Sequence, residues 1–370
     1  MILFLDLLTG GFYISMVEKI KKAFVALMRT RPQASSLRSN LLRGLDGLRR
    51  ENGAFAAASG EAYKACWIRD QVYSTYAYYF LDEIHEFARG LQVVFDILHN
   101  SREKIERVLC EKPEHGAHYI HAKFHVEALH EITDDWGHHQ IDALGLFIFA
   151  VARGERNGVR VIRDRKDREM LQLLVSYLAA VRYFSEPDNG MWEEALDLHA
   201  SSIGAAVAGL RELKYMQLAV VPAELIERGE RALATLLPRE SPSREVDLAQ
   251  LSLLWPYRIV DNITEATILT RVEGELVQAR GINRYLGDNY YRSDNGISAE
   301  WTMGFFWLSI IYADRKDEVK ARYWFDRGVS TITPEGHLPE LYQNGAPNGN
   351  TPLAWAHSLA LIAGTKLRAL

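Results

Sequence analysis

Several features that define classes of protein are scarce or missing in this sequence. Its 370 residues include only two cysteines, Cys66 and Cys110, which lie in no metal-binding or redox spacing. We interpret both as free thiols of the core, a pattern typical of a reducing compartment such as the cytoplasm. The net charge is only −5 and no lysine- or arginine-rich block occurs, so neither nucleic acid nor an anionic membrane is expected as a partner.

Membrane and cofactor signals are also missing. Residues 1–15 are apolar, but Asp6 and a Gly-Gly pair interrupt them and no basic residue precedes them, which excludes a typical signal peptide or membrane span. We interpret residues 1–15 as an N-terminal extension and residues 16–370 as a single domain, with a first helix predicted at Val17–Met28. No glycine-rich phosphate loop is found, and no cofactor is predicted.

The twelve histidines raise the question of a metal site. Seven of them fall in one stretch: His115, His118, His121, His125, His130, His138 and His139. No pair has the HExxH spacing, and the His121/His125 pair has no convincing further ligand. We therefore predict no metal site and assign these histidines to polar loops and to the rim of a pocket.

The dominant hydrophobic period is that of the α-helix. Leu171, Leu174 and Leu178, for example, fall on one face of a predicted helix. Comparable stretches occur near 36–49, 70–98, 141–151, 203–210, 223–236, 247–255, 264–278, 299–313, 316–328 and 352–368. Ser201 and Ser202 are predicted to cap the helix that follows them. The pattern predicts about twelve helices in one all-α domain, but periodicity does not distinguish a closed ring of helices from a superhelix.

Tryptophans and acidic residues stand together at several predicted loop edges. These groupings are Trp67-Ile-Arg69-Asp70, Asp134-Asp135-Trp136, Trp192-Glu193-Glu194, Glu300-Trp301 and the segment from Glu340 to Trp355. In a sugar pocket, aromatic rings lie against the C–H faces of the sugar while charged groups bind its hydroxyls. A single pair more often marks a helix end with a half-buried ring, so it is the repetition that indicates a carbohydrate site.

Two of these carboxylates suit hydrolysis of a glycosidic bond, which needs one protonated and one ionised carboxyl group. Glu193 follows Trp192, and an indole that desolvates a carboxyl group favours its protonated form, as a general acid requires. Glu340 lies in a Gly/Asn/Pro-rich loop, where an ionised carboxylate could hold a water molecule as general base. The alternative for Glu193 and Glu194 is a solvated helix start, where acids interact favourably with the helix dipole.

Four segments, taken in order, resemble glycoside hydrolase family 15, the glucoamylase family, which also includes glucodextranases and some trehalases. They are Tyr63-Lys-Ala-Cys-Trp67-Ile-Arg69-Asp70, Trp136-Gly-His-His-Gln140-Ile-Asp142, Gly190-Met-Trp192-Glu193-Glu194, and Glu340 followed by Pro352-Leu-Ala-Trp355-Ala-His-Ser. The stretches from His121-Ala-Lys-Phe to Ile162 and from Asn283 to Tyr291 are similar to the glucoamylase-like domain of phosphorylase kinase regulatory subunits. The resemblance covers about residues 35–370.

The resemblance implies an all-α (α/α)6 barrel, with two concentric rings of helices and a pocket at one end. It also implies single-displacement hydrolysis, in which a terminal α-glucosyl residue leaves as β-glucose. Position by position, the resemblance implies that Glu193 is the general acid and Glu340 the base that activates water. Arg69 and Asp70 correspond to the pair that holds the non-reducing glucose. Arg284 corresponds to the arginine that binds glucose across the cleavage point. The other matched positions are the pocket aromatics Tyr63, Trp67, Trp136 and Trp192, with Glu194 near the leaving-group sugar and Trp355 in support of the base loop.

Departures from the family pattern bear on the substrate. His138 and His139 precede Gln140 where many members have other residues. This difference puts in doubt the residues that would bind the leaving-group sugar. We find no room for the β-sandwich that precedes the barrel in many prokaryotic members, nor for a starch-binding module. A small soluble isomalto- or malto-oligosaccharide is therefore expected rather than raw starch.

Two alternatives are left open by the residues. The chain could be a non-catalytic sugar-sensing or regulatory scaffold, although the presence of Glu193, Glu340 and the Arg69-Asp70 pair favours an enzyme. A trehalase on the same scaffold would use the same acid and base. Association into a homodimer is also left open.

Overall fold

The computed structural model of the protein describes residues 34–114 and 116–370. The predicted extension at 1–15, the predicted helix at Val17–Met28 and His115 lie outside the described residues. The described part contains the α-helices α1 (Ala34–Asp46), α2 (Ile68–Phe80), α3 (Ile84–Asn100), α4 (Arg102–Cys110), α5 (Ile141–Arg156), α6 (Arg165–Ala180), α7 (Ala200–Tyr215), α8 (Ala223–Leu236), α9 (Leu251–Leu254), α10 (Asn262–Arg271), α11 (Met303–Asp314), α12 (Glu318–Val329) and α13 (Ala354–Lys366).

The helices form two concentric rings. Helices α2, α5, α7, α9, α11 and α13 contact one another in that order, and α13 packs back against α2 to close the inner ring. Helices α3, α6, α8, α10, α12 and α1 lie outside and pack against the inner helices. The predicted all-α (α/α)6 barrel is thus confirmed, and the closed ring excludes the superhelix that periodicity left open.

Burial separates the two rings. In the inner helix α11 every residue from Met303 to Tyr312 is buried. The outer helix α8 buries only Leu225, Ile226, Gly229 and Leu233, which recur with the helical period on one face. Inner helices are therefore packed on both sides, whereas outer helices keep a polar face toward solvent.

Two glycines let the inner helices α5 and α7 come into backbone contact. A Cβ atom on Gly145 would lie 2.5 Å from the carbonyl carbon of Ala205. One on Gly209 would lie 2.8 Å from the carbonyl oxygen of Gly145. Because both neighbours are backbone atoms in a close-packed interior, a side chain at either position would push the two helices apart.

Short strands lie at the end of the barrel where the inner helices begin. Those in the described part are β1 (Cys66–Trp67), β2 (Lys123–Phe124), β3 (Glu300–Trp301), β4 (Leu341–Gln343) and β5 (Ala346–Pro347). β1 and β2 pair antiparallel with Trp67 opposite Lys123, and β4 pairs between β3 and β5 with Leu341 opposite Trp301. These pairings fix the loops that carry the candidate site.

Several local predictions are wrong. The helix predicted near 70–98 is two helices, α2 and α3, separated by a turn in which Asp82 has a φ of 65°. Ser201 and Ser202 lie inside α7 and do not cap it, because their hydroxyls bind buried carboxylates. Cys66 is buried as expected, but Cys110, the last residue of α4, is exposed. In the part of the chain that is described, no helix is long and apolar enough to cross a membrane.

Candidate active site

A pocket of about 750 Å³ opens at the end of the barrel where the inner helices begin. Its lining contains every side chain that the sequence predicts for the site: Tyr63, Trp67, Arg69, Asp70, Trp136, Trp192, Glu193, Glu194, Arg284, Glu340 and Trp355. Met191, Tyr290, Trp301 and Leu353 complete the lining. The barrel therefore brings together residues from widely separated parts of the chain.

The Glu193 carboxylate accepts hydrogen bonds from three N–H groups. Trp67 Nε1 donates to Glu193 Oε2 over 3.1 Å, Arg69 Nη1 donates to Oε1 over 3.0 Å, and Trp136 Nε1 also donates to Oε2. Trp192, the neighbour in sequence, instead donates its N–H to Asp247 Oδ1 over 2.8 Å. The indoles that bind the candidate acid thus come from distant segments rather than from Trp192.

The turn that carries Glu193 has an unusual backbone. Glu193 has a φ of 63°, a conformation that costs a residue with a side chain about 1–3 kcal/mol. A Cβ atom on nearby Gly190 would lie 2.8 Å from the His199 ring, so the turn rests directly on that ring. His199 Nδ1 is 2.9 Å from Asp188 Oδ1. Burial opposes the charged imidazolium, but the Asp188 carboxylate outweighs it and raises the pKa of His199 to about 9.

Arg69 is buried, and its guanidinium group is held on several sides. Its Nε and Nη2 atoms form a two-point ion pair with Asp142, at 2.6 and 3.2 Å. Nη2 also donates to Gln140 Oε1 over 2.9 Å and to the Gly190 carbonyl over 3.3 Å. The positive charge is therefore fixed between Asp142, at the start of α5, and Glu193.

Asp70 differs from its neighbour because its carboxylate makes no hydrogen bond to any other residue that the structure describes, although it lines the pocket. Burial raises the pKa of this carboxyl group to about 7, against the opposing charge of Arg69 and with a contribution from Glu193 and Glu340. Asp70 is thus available to bind a hydroxyl group in the pocket.

Glu340 is 1% exposed, so its predicted place in an open loop is wrong. The loop folds back on the barrel, because Glu340 N donates to the Asn350 carbonyl over 3.1 Å and its own carbonyl accepts from Thr302 N over 3.3 Å. The amides of Asn348 and Asn350 both donate to Oε2, over 2.5 and 2.8 Å. Burial raises the pKa of Glu340, and the two amide hydrogen bonds oppose that shift.

Glu194 lies at the centre of a second charged cluster. Arg284 Nη2 donates to Glu194 Oε1 over 2.7 Å, the Tyr285 hydroxyl donates to Oε2 over 2.8 Å, and Arg244 also donates to Oε2. Asp288 binds Arg284 at 2.7 and 2.6 Å. The sequence did not indicate Arg244, which belongs to no motif, whereas Tyr285 adjoins Arg284 in a segment that carries the family resemblance.

Aromatic rings form much of the pocket wall. Tyr63 stacks on Trp67 with ring centroids 5.2 Å apart, and its hydroxyl lies 2.8 Å from that of Tyr290. Tyr290 lines the pocket, and its hydroxyl binds that of Tyr63 there. Trp355 stacks on Tyr73 of α2 at 4.4 Å. Its predicted support of the base loop stays a prediction.

Lys123 lies behind the two indoles that bind Glu193. Its Nζ atom is 3.9 Å from the ring centroid of Trp136 and 5.7 Å from that of Trp67, and it forms an ion pair with Asp134. The β1–β2 pairing creates this contact. Nothing in the His121-Ala-Lys-Phe stretch indicates this contact, because Trp67 and Trp136 are 56 and 13 positions from Lys123 along the chain.

The histidine stretch lies beside this pocket. The rings of His121 and His138 are 4.1 Å apart, and His139 stacks on Tyr119 at 3.8 Å. None of these three histidines lines the pocket, so their predicted place at its rim is wrong.

Two rings of helices around a pocket of carboxylates, aromatic rings and arginines define a protein of the (α/α)6 glycosidase type. The family described as "Glycosyl hydrolases family 15" matches residues 47–242, more than half of the chain. The chain belongs to this family. Family and fold together support a glycosidase-type function.

Solved glycosidase structures share this fold. A structure described as "Glycosidase Wild Type" aligns with a TM-score of 0.78 over 91% of this chain and 98% of that chain, at 19% identity. A bacterial glucoamylase complexed with acarbose aligns with a TM-score of 0.68 over 90% of this chain and 56% of that one, at 14% identity. At such low identity the likeness shows the fold alone.

The curated relatives are described as kinase regulatory subunits, whereas the solved structures are described as glycosidases. The chain is 28% identical over 377 residues to "Probable phosphorylase b kinase regulatory subunit alpha" of Caenorhabditis elegans, a match that covers 80% of this chain. It is 26% identical over 378 residues to the liver isoform of the alpha subunit of Mus musculus, which covers 81% of this chain. In both cases the match spans only 30% of the relative.

Proposed function

We propose that this chain is an inverting, exo-acting α-glucoside hydrolase that releases β-glucose from a small soluble isomalto- or malto-oligosaccharide. The observation that supports this most is the meeting of Glu193 and Glu340, from distant segments, in one aromatic pocket with the available Asp70 carboxylate. Membership of glycosyl hydrolases family 15 supports it as well.

In the proposed reaction, Glu193 gives a proton to the leaving oxygen while Glu340 takes one from the attacking water. Oε2 of Glu193 accepts two N–H bonds and Oε1 accepts one, so we assign the transferred proton to Oε1. The two asparagine amides occupy Oε2 of Glu340. We assign its Oε1 atom to the water.

The remaining residues bind the sugars in this proposal. Asp70 accepts hydrogen bonds from the hydroxyls of the terminal glucose, and Arg69 orients the acid, Glu193. Glu194 and Arg284 face the leaving-group sugar. Because Glu194 is already bound by Arg284, Arg244 and Tyr285, this side presents a fixed set of polar groups, as discrimination between linkages requires.

The first test is glucose release from maltose, isomaltose, trehalose, kojibiose, nigerose and dextrin. Hydrolysis of isomaltose or maltose is expected, and preferential hydrolysis of trehalose would instead establish the trehalase alternative. Proton NMR of the first product should show β-glucose, since the base activates water on the face opposite the leaving group. α-Glucose as first product would contradict inversion.

The second test removes each carboxylate without changing its shape. Glu193→Gln and Glu340→Gln are each expected to lower kcat by at least about a hundredfold, because proton transfer is lost. Glu245→Gln, on an exposed carboxylate outside the pocket, is the matched control and should retain the wild-type rate. Near-normal turnover by Glu340→Gln would show that the base is assigned wrongly.

The second candidate is a non-catalytic, sugar-binding regulatory domain. The descriptions of the curated relatives favour it, and so does the Glu193 carboxylate, whose oxygens already accept three N–H bonds from the protein. Such a domain would bind isomaltose or glucose saturably in calorimetry and release no glucose at high protein concentration. In that case we would expect it to act within a larger protein assembly.

We further propose that residues 16–370 form one domain that works in the cytoplasm, without a membrane or nucleic-acid partner. The free thiols of Cys66 and Cys110 support a reducing compartment. A homodimer is a further proposal, which sedimentation equilibrium would test directly.

A further inference from the structure

A second cavity lies at the opposite end of the barrel from the substrate pocket. It forms where α2 ends, beside the second half of α5 and the loop after α9, and contains about 480 Å³ of space including its mouth. Its walls are mostly aromatic and include Tyr79, Phe87, Phe149 and Trp255. A concave surface lined by aromatic side chains is typical of a small-molecule site.

The cavity also holds a polar group without a partner. Tyr76 lines it and is only 7% exposed, yet its buried hydroxyl has no hydrogen-bond partner among the residues described. A buried hydroxyl left unpaired costs about 1–3 kcal/mol. A ligand with a hydrogen-bonding group would satisfy it.

Charge at the cavity favours an anion. Arg153 lines the wall, and its Nη1 atom binds Glu212 Oε1 at 3.0 Å. Arg156 binds the same carboxylate at 3.2 Å. One carboxylate therefore compensates the charge of two guanidinium groups only in part. A net positive charge is left beside the aromatic wall.

The same pattern recurs on the other side of the mouth. The ammonium group of Lys366 lies 5.0 Å from the ring centroid of Phe80, which lines the cavity. Lys366 and Arg258 share the Asp314 carboxylate, at 2.5 and 2.6 Å. The two clusters together contain four cations and two carboxylates, although the whole chain carries a net charge of −5.

We propose that this cavity binds a small aromatic anion, with its ring among the aromatic side chains, its negative group at Arg153 and a hydrogen-bonding group at Tyr76. The site is separate from the substrate pocket and nothing in the hydrolysis proposed above uses it. Binding can therefore be measured without any reference to turnover.

The test is isothermal titration of the full chain with three probes. Indole-3-acetate is aromatic and anionic, tryptamine keeps the indole but reverses the charge, and cyclohexylacetate keeps the charge but lacks the aromatic ring. We expect saturable binding of indole-3-acetate, with the other two at least about tenfold weaker. Absence of saturable binding at millimolar indole-3-acetate, or equal affinity for tryptamine, would overturn the proposal.

Variants locate the binding. Arg153→Met should weaken indole-3-acetate at least about tenfold and Tyr76→Phe several-fold, because each removes one partner of the ligand. Arg165→Met, which removes an exposed arginine that pairs with Glu169 and does not line the cavity, is the matched control and should leave the affinity unchanged. Equal loss in both arginine variants, or displacement of the probe by glucose, would show that the cavity is not its site. Thermal melts confirm that each variant is folded.

Discussion

At the scale of single residues, Lys123 contacts both indoles that bind the candidate acid, those of Trp67 and Trp136, although no sequence motif contains all three residues. Its ammonium group lies against the faces of Trp136 and Trp67, and both indoles donate their N–H to Glu193 Oε2. A cation on a ring face attracts the π electrons and holds the ring in position. Lys123 is thus expected to position the donors of the candidate acid rather than to touch a substrate.

Lys123→Met keeps most of the side-chain volume and removes the charge. We expect kcat to fall about tenfold with KM nearly unchanged, a loss of about 1.4 kcal/mol that lies within the range of a cation–π contact. Lys123→Arg should retain most of the rate and the pH profile. Lys104→Met, which removes the Glu131 ion pair instead, is the control. A wild-type kcat in Lys123→Met would refute the positioning role.

Asp70 predicts a pH dependence of substrate binding. Its pKa of about 7 means that the carboxyl group gains a proton as the pH falls through 7 and loses the charge that accepts sugar hydroxyls. KM should therefore rise about tenfold or more between pH 8 and pH 5, the loss expected for one charge-assisted hydrogen bond. Asp70→Asn should show a high KM that no longer varies over this range. A wild-type KM that is constant with pH would contradict this role.

At the scale of elements, the turn before α7 depends on buried charges beneath it. Asp188 accepts from His199, from the Ser202 hydroxyl over 2.8 Å and from Ile141 N over 3.0 Å. These bonds tie the turn to the starts of α5 and α7. The placement of Glu193 is therefore set by an ion pair that itself lies outside the pocket.

The His199 pKa predicts how stability varies with pH. The folded value of about 9 exceeds the ordinary 6.5, so the folded protein binds the extra proton more strongly than the unfolded chain does. The resulting stabilisation, about 3 kcal/mol from a shift of this size, is complete below pH 6.5 and is lost as the pH rises through 9. Urea unfolding at pH 6.5 and 9.5 measures it.

A substitution isolates this contribution. His199→Gln should be less stable than wild type at pH 6.5 and should lose much less stability on going to pH 9.5. Burial also raises the pKa of Glu240, which adds a loss of the same sign, and removal of the His199 charge raises that pKa further in the variant. His85→Gln, at an exposed position, serves as the control. An unchanged pH slope in His199→Gln would rule out the assignment.

At the scale of the whole molecule, the barrel depends on contacts between its two ends in sequence. Helix α13 packs on α2, and the Ser358 hydroxyl donates to the Tyr73 carbonyl over 2.6 Å, across 285 positions. The family match at residues 47–242 ends after α8 and contains only α2, α5 and α7 of the inner ring. Those three helices would expose faces that the closed ring buries.

We therefore expect residues 34–370 to unfold in one cooperative transition, by calorimetry and by circular dichroism in urea. A fragment of residues 47–242 should show no cooperative transition, because half of its inner ring is missing and large apolar faces stay in water. An independent sharp transition in that fragment would show that the barrel is built from separable units.

What the sequence by itself determined is local. Periodicity of apolar residues predicted about twelve helices, because a helix face repeats within a few positions. The short segments around Trp67, Trp136, Glu193 and Glu340 placed the candidate residues, since each chemical group is recognisable beside its neighbours. Eleven of the fifteen residues that line the pocket were predicted, several of them only through the family resemblance, but the partners of each group were not.

Only the tertiary structure decided those partners and the closure of the ring. Trp67 and Glu193 are 126 positions apart, and no local pattern specifies that one donates to the other. The burial of Glu340 likewise results from a loop that looks open in sequence but folds onto the barrel. Contacts between distant residues depend on how all the helices pack together, and the same helical period is compatible with a ring or a superhelix until the last helix meets the first.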